Sequence, residues 1–171
     1  MSNKNAKLIT PGNLEDDLKL LSDCDWVCEV VLEDLKIKHA TYEKITPFLK
    51  KGAMVSSNTS TIPLEMLTEK LSKDLKKNFL ITHFFNPPRY LRLLEIVTGK
   101  DNDPAKVKEV VDFCDVKLGK GVVKCKDTPG FIVNRILTFF MQSALNVAVS
   151  DKVSVEVADA VLSKPVGIPK T

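Results

Sequence analysis

His83 and Glu95 are the two residues whose types and spacing best fit a chemical step. His83 ends an apolar run, residues 86–90 (NPPRY) form a turn, and Glu95 lies in the apolar run LRLLEIV. Because the turn is too short to contain a crossover helix, we predict that the next strand returns antiparallel and places residues 83 and 95 opposite each other. Directly opposed side chains have Cβ atoms about 4.5–5.5 Å apart, which allows a hydrogen bond between imidazole and carboxylate.

Two interpretations of this pair fit its spacing equally well. A carboxylate on one ring nitrogen fixes the tautomer and leaves the other nitrogen free to accept a proton. Oxidation of an alcohol by hydride transfer requires a base of this kind for the hydroxyl proton. The alternative is an ion pair that only joins two strands, because a carboxylate in an apolar run is costly to bury without a partner.

Further polar side chains follow two other predicted strands. Glu33 and Lys38 come after the run DWVCEVV, and Ser60 lies in the polar segment after the strand at residues 53–57. Ligands of open α/β sheets bind beyond the carboxyl ends of parallel strands, where these side chains and His83 are expected to converge. The convergence predicts a ligand site at this end of the sheet, which we call the rim.

Each of the remaining candidates also has a purely structural interpretation. Ser60 could cap the helix that contains Pro63, and Asn86 is a common turn residue. Glu33 and Lys38 could be an exposed pair at the start of a helix. Asn134 lies early in a helix, where it costs helix propensity and could point to solvent or bond locally.

Strands alternate with helices along most of the chain, which predicts an α/β fold with a mostly parallel sheet, an antiparallel edge and C-terminal helices. The predicted strands are Lys7–Thr10, Asp25–Val31, Ala53–Ser57, Asn78–His83, Leu91–Thr98 and Gly121–Lys126. The helix capped by Asp34 is predicted to carry Leu35, Lys38, Tyr42, Ile45 and Leu49 on one face. The other predicted helices are Leu14–Ser22, Pro63–Leu71, Pro104–Leu118, the helix from Thr128 to Val149, and Ser154–Leu162.

Composition excludes several classes of protein. A net charge of +3 with scattered lysines does not suggest a nucleic-acid partner. No apolar run approaches the roughly 20 residues of a membrane span, and the polar N-terminus lacks a signal-peptide core, so we expect a cytoplasmic protein. The four cysteines show no paired metal-binding spacing, and we expect reduced thiols and no metal.

Four segments of the chain closely resemble L-3-hydroxyacyl-CoA dehydrogenases, in the form found in bacterial multifunctional β-oxidation enzymes. They are DWVCEVVLEDLKIK (25–38), SNTST (57–61), THFFNPPRYLRLLEIV (82–97) and KDTPGFIVNR (126–135). The resemblance implies an oxidoreductase that converts (3S)-3-hydroxyacyl-CoA to 3-oxoacyl-CoA with NAD. A related dehydrogenase for free β-hydroxyacids fits the HFFNP and PGFIVNR segments less well.

The same resemblance implies roles for individual residues. His83 would be the general base and Glu95 its partner, while Ser60 and Asn134 would be catalytic and substrate-binding residues that orient the reactants.

The resemblance also assigns NAD contacts. It implies that Glu33, Lys38, Ser60 and Asn86 bind NAD and that Ser60 also approaches the acyl-CoA.

The chain has seven glycines and no G-x-G-x-x-G segment, the turn that normally binds the dinucleotide pyrophosphate. We therefore expect residues 1–171 to be a single, partial NAD-binding domain with an incomplete Rossmann-like doubly wound sheet. The first βαβ unit and the C-terminal helical domain of the family would be absent. Such a chain would bind NAD poorly alone and could instead be a non-catalytic assembly module.

We also expect a homo-oligomer. The apolar strand within 25–31 would form an exposed sheet edge, and such edges pair readily with another chain. The long helix of residues 131–149 is a second candidate surface for this association.

Overall fold

Five strands form one sheet whose order in space is the order along the chain. A computed structural model describes residues 4–167, and of Lys164 it describes only the backbone. The strands are β1 (Trp26–Glu29), β2 (Met54–Ser57), β3 (Phe79–Phe84), β4 (Leu93–Val97) and β5 (Gly121–Cys125). The helices are α1 (Leu35–Ile45), α2 (Leu64–Thr68), α3 (Lys73–Lys77), α4 (Pro104–Asp112), α5 (Val133–Ser150) and α6 (Val155–Leu162). The predicted α/β class is confirmed.

The sheet changes direction once. β1, β2 and β3 are parallel, β4 runs antiparallel to β3, and β5 is parallel to β4. The reversal after β3 follows from the short turn at residues 86–90, as predicted. Because β5 pairs with the far side of β4, the antiparallel pair lies inside the sheet and not at its edge.

Alternating strand residues form two apolar layers, one on each face of the sheet. On the first face, which we call the α1 face, strand residues pack with Tyr42 of α1 and Leu67 of α2. On the opposite face, which we call the α4 face, strand residues pack with Val107 and Val110 of α4. Val55, Ile81 and Val97 belong to the α1 face, and Met54, Leu80, Leu94 and Ile96 belong to the α4 face. Odd-numbered residues of β1 to β4 therefore share the α1 face.

Local capping explains where α1 and α4 begin. The Asp34 carboxylate accepts hydrogen bonds from the backbone N–H groups of Lys36 and Ile37 at 2.8 and 3.0 Å. Asp103 accepts from the Ala105 N–H at 2.8 Å, with proline at the first position of α4. One π-helical turn, Phe113–Lys117, follows α4, and Gly119 after it has a φ of +66°, a conformation that favours glycine.

Three predictions about local structure are wrong. Residues 5–8 form a 3-10 turn instead of the predicted strand Lys7–Thr10, and Leu8 and Ile9 are 85% and 72% exposed, since no neighbouring strand pairs with them. The predicted helix Leu14–Ser22 is a turn followed by the 3-10 helix Leu18–Asp23. The predicted helix Pro63–Leu71 stops at Thr68, and the unpredicted α3 follows with Ser72 as its cap. Residues 169–171, which the sequence predicts to be a loop after the last helix, lie outside the described residues.

The chain divides into two compact units, Met1–Phe131 and Ile132–Thr171. The first unit contains the whole sheet and helices α1 to α4, and the second contains α5 and α6. No residue of α5 or α6 is buried. Within residues 4–167, no helix combines the length and the apolar character that crossing a membrane requires. The single-domain expectation for residues 1–171 stays a prediction.

We predict that Asp34→Ala lowers the free energy of unfolding by about 1 kcal/mol, because two N–H groups at the start of α1 lose their acceptor. Urea denaturation followed by circular dichroism measures this change. Glu43→Ala is the control, since Glu43 is exposed on the same helix and its loss should change stability by less than about 0.5 kcal/mol. Equal effects of the two substitutions would contradict the capping role.

Candidate active site

The strands bring His83 and Glu95 into direct register. The two residues are Cα partners in the antiparallel pair of β3 and β4. His83 Nδ1 lies 2.8 Å from Glu95 Oε2, and the exposed fractions of the two side chains are 6% and 0%. The predicted juxtaposition is therefore confirmed, while the catalytic role of the pair stays a prediction.

Two aromatic rings enclose the His83 imidazole. The ring centroid of Phe85 lies 4.4 Å from that of His83, and the centroid of the buried Phe131 ring lies 5.7 Å away. Phe131 has a φ of +48°, a left-handed conformation that is uncommon for a bulky residue. When Nδ1 carries the hydrogen that bonds Glu95, Nε2 is the ring nitrogen able to accept a proton.

The Glu33 carboxylate organises the loop that follows β2. Its Oε1 atom accepts from the Thr59 hydroxyl at 2.5 Å, from the Ser60 N–H at 2.9 Å and from the N–H and hydroxyl of Thr61, both at 3.1 Å. Burial raises the pKa of Glu33, but the hydrogen bonds from Thr59 and Ser60 and the charge of Lys38 outweigh burial and hold this pKa below its ordinary value. Glu33 is therefore an anion at neutral pH, and 40% of its side chain is exposed to solvent.

Lys38 lies below the rim and not on it. Its ammonium is 1% exposed, bonds both carboxylate oxygens of Glu29 at 2.9 and 3.1 Å, and lies 3.4 Å from Glu33 Oε2. Glu29 also accepts from the Tyr42 and Ser57 hydroxyls, each at 2.7 Å. Burial raises the pKa of the Tyr42 phenol far above its ordinary value, so this hydroxyl donates at any ordinary pH.

Sequence reasoning missed Glu29 and Thr59. Glu29 is a lone carboxylate in an apolar strand, which is the signal that singled out Glu95, and it could have been found in the same way. Thr59 is fully buried, and its hydroxyl accepts from the Ile62 N–H at 2.9 Å while donating to Glu33. Nothing in the sequence distinguishes Thr59 from its hydroxyl-bearing neighbours.

The structure places the seven predicted site residues in four locations. Glu33, Lys38 and Ser60 form one connected group, and His83 and Glu95 form the second. Asn86 is exposed on the turn after β3, and Asn134 lies in the separate unit 132–171, near the start of α5.

Asn58 connects the first two groups. Its Oδ1 atom accepts from the Phe84 N–H at 2.9 Å, which links the loop after β2 to the end of β3 beside His83. The next residue, Thr59, contacts Glu33. Asn58 and Thr59 are adjacent in the chain, so together they fix the distance between the Glu33 carboxylate and the His83 imidazole.

The rim has the donors and acceptors for one part of a dinucleotide. An exposed carboxylate supported by a lysine suits hydroxyl groups of a ribose, and an imidazole with a free nitrogen suits an alcohol that reacts beside it. No G-x-G-x-x-G segment for a pyrophosphate occurs in the sequence. Among residues 4–167, no three His, Cys, Asp or Glu side chains are grouped to hold a metal ion.

Comparison with known proteins gives consistent matches. The family model described as 3-hydroxyacyl-CoA dehydrogenase, NAD binding domain, matches residues 1–128. A 3-hydroxyacyl-CoA dehydrogenase of Deinococcus radiodurans is 50% identical over 136 residues, covering 80% of this chain and 39% of its own length. A fatty acid oxidation complex trifunctional enzyme of Rickettsia felis is 47% identical over 166 residues, covering 97% of this chain. This chain spans 23% of that enzyme.

A solved structure agrees with the fold. The (S)-3-hydroxybutyryl-CoA dehydrogenase PaaH1 from Ralstonia eutropha superposes with a TM-score of 0.79 at 27% identity, covering 90% of this chain and 53% of its own. The Rossmann-like class predicted from the resemblance is confirmed. The matching family model is one of NAD-binding domains, so NAD is the cofactor of the family, as the resemblance implied.

We predict that Glu29→Leu and Lys38→Met each lower the free energy of unfolding by about 3–5 kcal/mol, because each leaves a buried charge without its partner. The double variant should be at least about 2 kcal/mol more stable than the sum of the single effects predicts. Chemical denaturation of all four proteins measures this coupling.

Lys44→Met is the matched control for this cycle. Lys44 forms an ion pair with Glu15 at 2.6 Å in which the side chains are 40% and 78% exposed. Loss of such a pair changes stability by about 0–1 kcal/mol. Additive single effects at Glu29 and Lys38 would show that the buried pair does not couple as described.

Proposed function

Since this chain belongs to the 3-hydroxyacyl-CoA dehydrogenase family, we propose that it carries the catalytic groups of an NAD-dependent dehydrogenase of fatty-acid β-oxidation. The reaction is oxidation of a (3S)-3-hydroxyacyl-CoA to the 3-oxoacyl-CoA. The observation that carries the proposal is the buried hydrogen bond between His83 and Glu95. An ion pair needed only to join two strands would not require an imidazole whose second nitrogen remains available.

His83 is the general base of the proposed reaction. Its Nε2 atom takes the proton of the substrate hydroxyl, while NAD⁺, when bound, supplies the acceptor for the hydride that leaves C3. The two transfers together convert the alcohol to a ketone and leave the proton on the imidazole. Glu95, 2.8 Å from Nδ1, stabilises the imidazolium that forms.

The rings of Phe85 and Phe131 pack against the imidazole and limit its contact with water, and His83 is only 4% exposed. Exclusion of water strengthens the interaction between imidazolium and carboxylate, because fewer dipoles compete for the charges. The aromatic rings therefore support the same step as Glu95.

The proposed cofactor site lies around the Glu33 carboxylate. Glu33 offers a carboxylate to the cofactor, and Lys38 acts by positioning Glu33, because its buried ammonium lies 3.4 Å from Glu33 Oε2. Ser60 is half-buried beside Glu33 and would contact both NAD and the acyl-CoA. Asn86 would reach NAD from the turn after β3.

Asn134 completes the predicted set as a substrate-orienting residue on α5. Its placement beside the reacting atoms stays a prediction, as do the cytoplasmic location and the homo-oligomer. The activity is a proposal for the whole protein, because the matched parts of this chain cover only 23% and 39% of the two relatives described above.

The direct test joins residues 1–171 to a first βαβ unit with the G-x-G-x-x-G turn and to a C-terminal helical domain of the family, and it follows NADH formation by this completed protein with a (3S)-3-hydroxyacyl-CoA. The (3R) enantiomer and the free (3S)-hydroxyacid are controls that should give little product. We expect stereospecific NADH formation with the thioester. Failure of the thioester in a protein that binds NAD would favour the non-catalytic assembly module, and oxidation of the free acid instead would change the substrate class.

We predict that His83→Gln and Glu95→Gln each lower kcat by about 10²–10⁴-fold with a much smaller change in KM, because a positioned base contributes about that factor. The double variant should lose much less than the product of the single losses, since the pair acts as a unit. Steady-state kinetics on the four proteins decides this. His39→Gln is the control histidine, as His39 contacts the Met66 carbonyl and not the proposed site.

A further inference from the structure

Lys120 is a buried cation that the proposed chemistry does not use. It is 6% exposed and immediately precedes β5. Its ammonium donates to the carbonyl of Pro88 and, at 2.8 Å, to the carbonyl of Leu91. The same nitrogen lies 5.4 Å from the ring centroid of Phe84. All three contacts belong to the segment that begins directly after His83.

A buried lysine at position 120 lowers the stability of the fold unless its ammonium finds hydrogen-bond acceptors. Burying an ammonium is expensive unless hydrogen bonds replace its water. Among residues 4–167, no Asp or Glu forms an ion pair with Lys120; two carbonyl oxygens and an aromatic face surround the charge instead. The three donors of the ammonium let one side chain bond two carbonyl groups that are three residues apart, Pro88 within the turn and Leu91 just after it.

The backbone around Lys120 is joined to the same turn. The Gly121 N–H donates to the Arg92 carbonyl at 2.8 Å, and Arg92 Nε donates to the Gly119 carbonyl at 3.3 Å. Inside the turn, the N–H groups of Tyr90 and Leu91 donate to the Pro87 carbonyl at 3.0 and 3.1 Å. The side chain of Lys120 adds the contacts to Pro88 and Leu91 that this backbone pairing does not make.

We propose that Lys120 is a positioning residue for the His83 site. Its ammonium holds the turn of residues 86–92 in place, and through Phe84 it holds the segment whose next ring, Phe85, packs against the imidazole. The functional part of this inference rests on the proposed function, because Asn86, a predicted NAD contact, lies on the same turn. Without the ammonium, the turn would move and the Phe85 ring would no longer be held against the imidazole.

The test compares Lys120→Met with Lys117→Met. Both substitutions replace a lysine by an unbranched apolar side chain and remove one positive charge. Lys120 is buried, whereas Lys117 is exposed. In Lys120→Met, the amides of Tyr90 and Leu91 should exchange hydrogen for deuterium about tenfold faster, while amides of β2 should be unchanged. Lys117→Met should match the parent protein throughout.

The two histidines of the chain provide a second measurement without any ligand. In NMR spectra, the Cε1–H signal of His83 should shift in Lys120→Met because Phe85 moves relative to the ring, while the signal of His39 should stay in place. Lys120→Arg retains the charge and donors and should move the His83 signal back toward its parent position. Unchanged exchange in the turn, or an unchanged His83 signal, would overturn the proposal.

Two further measurements separate the possible failures. If Lys120→Met does not fold, the parent protein still gives an answer: ammonium protons of Lys120 that exchange as fast as those of Lys117 would overturn the inference. In the active protein, Lys120→Met should lower kcat by about tenfold or more, since misplacement of about 1 Å can cost about 10²-fold. If the completed protein neither binds NAD nor turns over, the proposed function fails, but the exchange and NMR results still decide the role of Lys120.

Discussion

The pairing of buried charges on the α1 face of the sheet is the interaction on which the rest of the site depends. Two carboxylates, Glu29 and Glu95, are buried on this face, 4% and 0% exposed. A buried carboxylate requires hydrogen-bonded partners, because the protein interior solvates ions poorly. Lys38 bonds Glu29, and His83 bonds Glu95. The same requirement thus fixes Lys38 beside Glu29 and Glu33 and orients the imidazole of His83.

The reversal of chain direction after β3 makes the contact between His83 and Glu95 possible. A parallel continuation would need a crossover helix of a dozen or more residues, and the next strand would then present its side chains in another register. The short turn instead places Glu95 opposite His83 and leaves the turn itself beside the imidazole. The turn is exposed, so its position depends on contacts from elsewhere, of which Lys120 before β5 makes the most direct ones.

The groups around the site also depend on one another. Glu33 determines the conformation of the loop after β2, Lys38 holds Glu33, and Glu29 holds Lys38. Asn58 connects the loop after β2 to β3, because its side-chain oxygen accepts a hydrogen bond from the Phe84 N–H. The first of these contacts joins the loops that follow β1 and β2, so the arrangement exists only when these two strands pair.

Much of this architecture could be predicted from the amino-acid sequence, because the relevant signals are local. Apolar alternation, the cap at Asp34 and the length of the turn at 86–90 depend on neighbouring residues, and they correctly located five strands and the pair of His83 and Glu95. The strand predicted at residues 7–10 was wrong because a short apolar run forms a strand only beside another strand. Only the tertiary structure decided that Lys38 is buried against Glu29 and that Lys120 contacts the turn. These contacts join residues on different elements, and the packing that brings the elements together leaves no pattern in either segment alone.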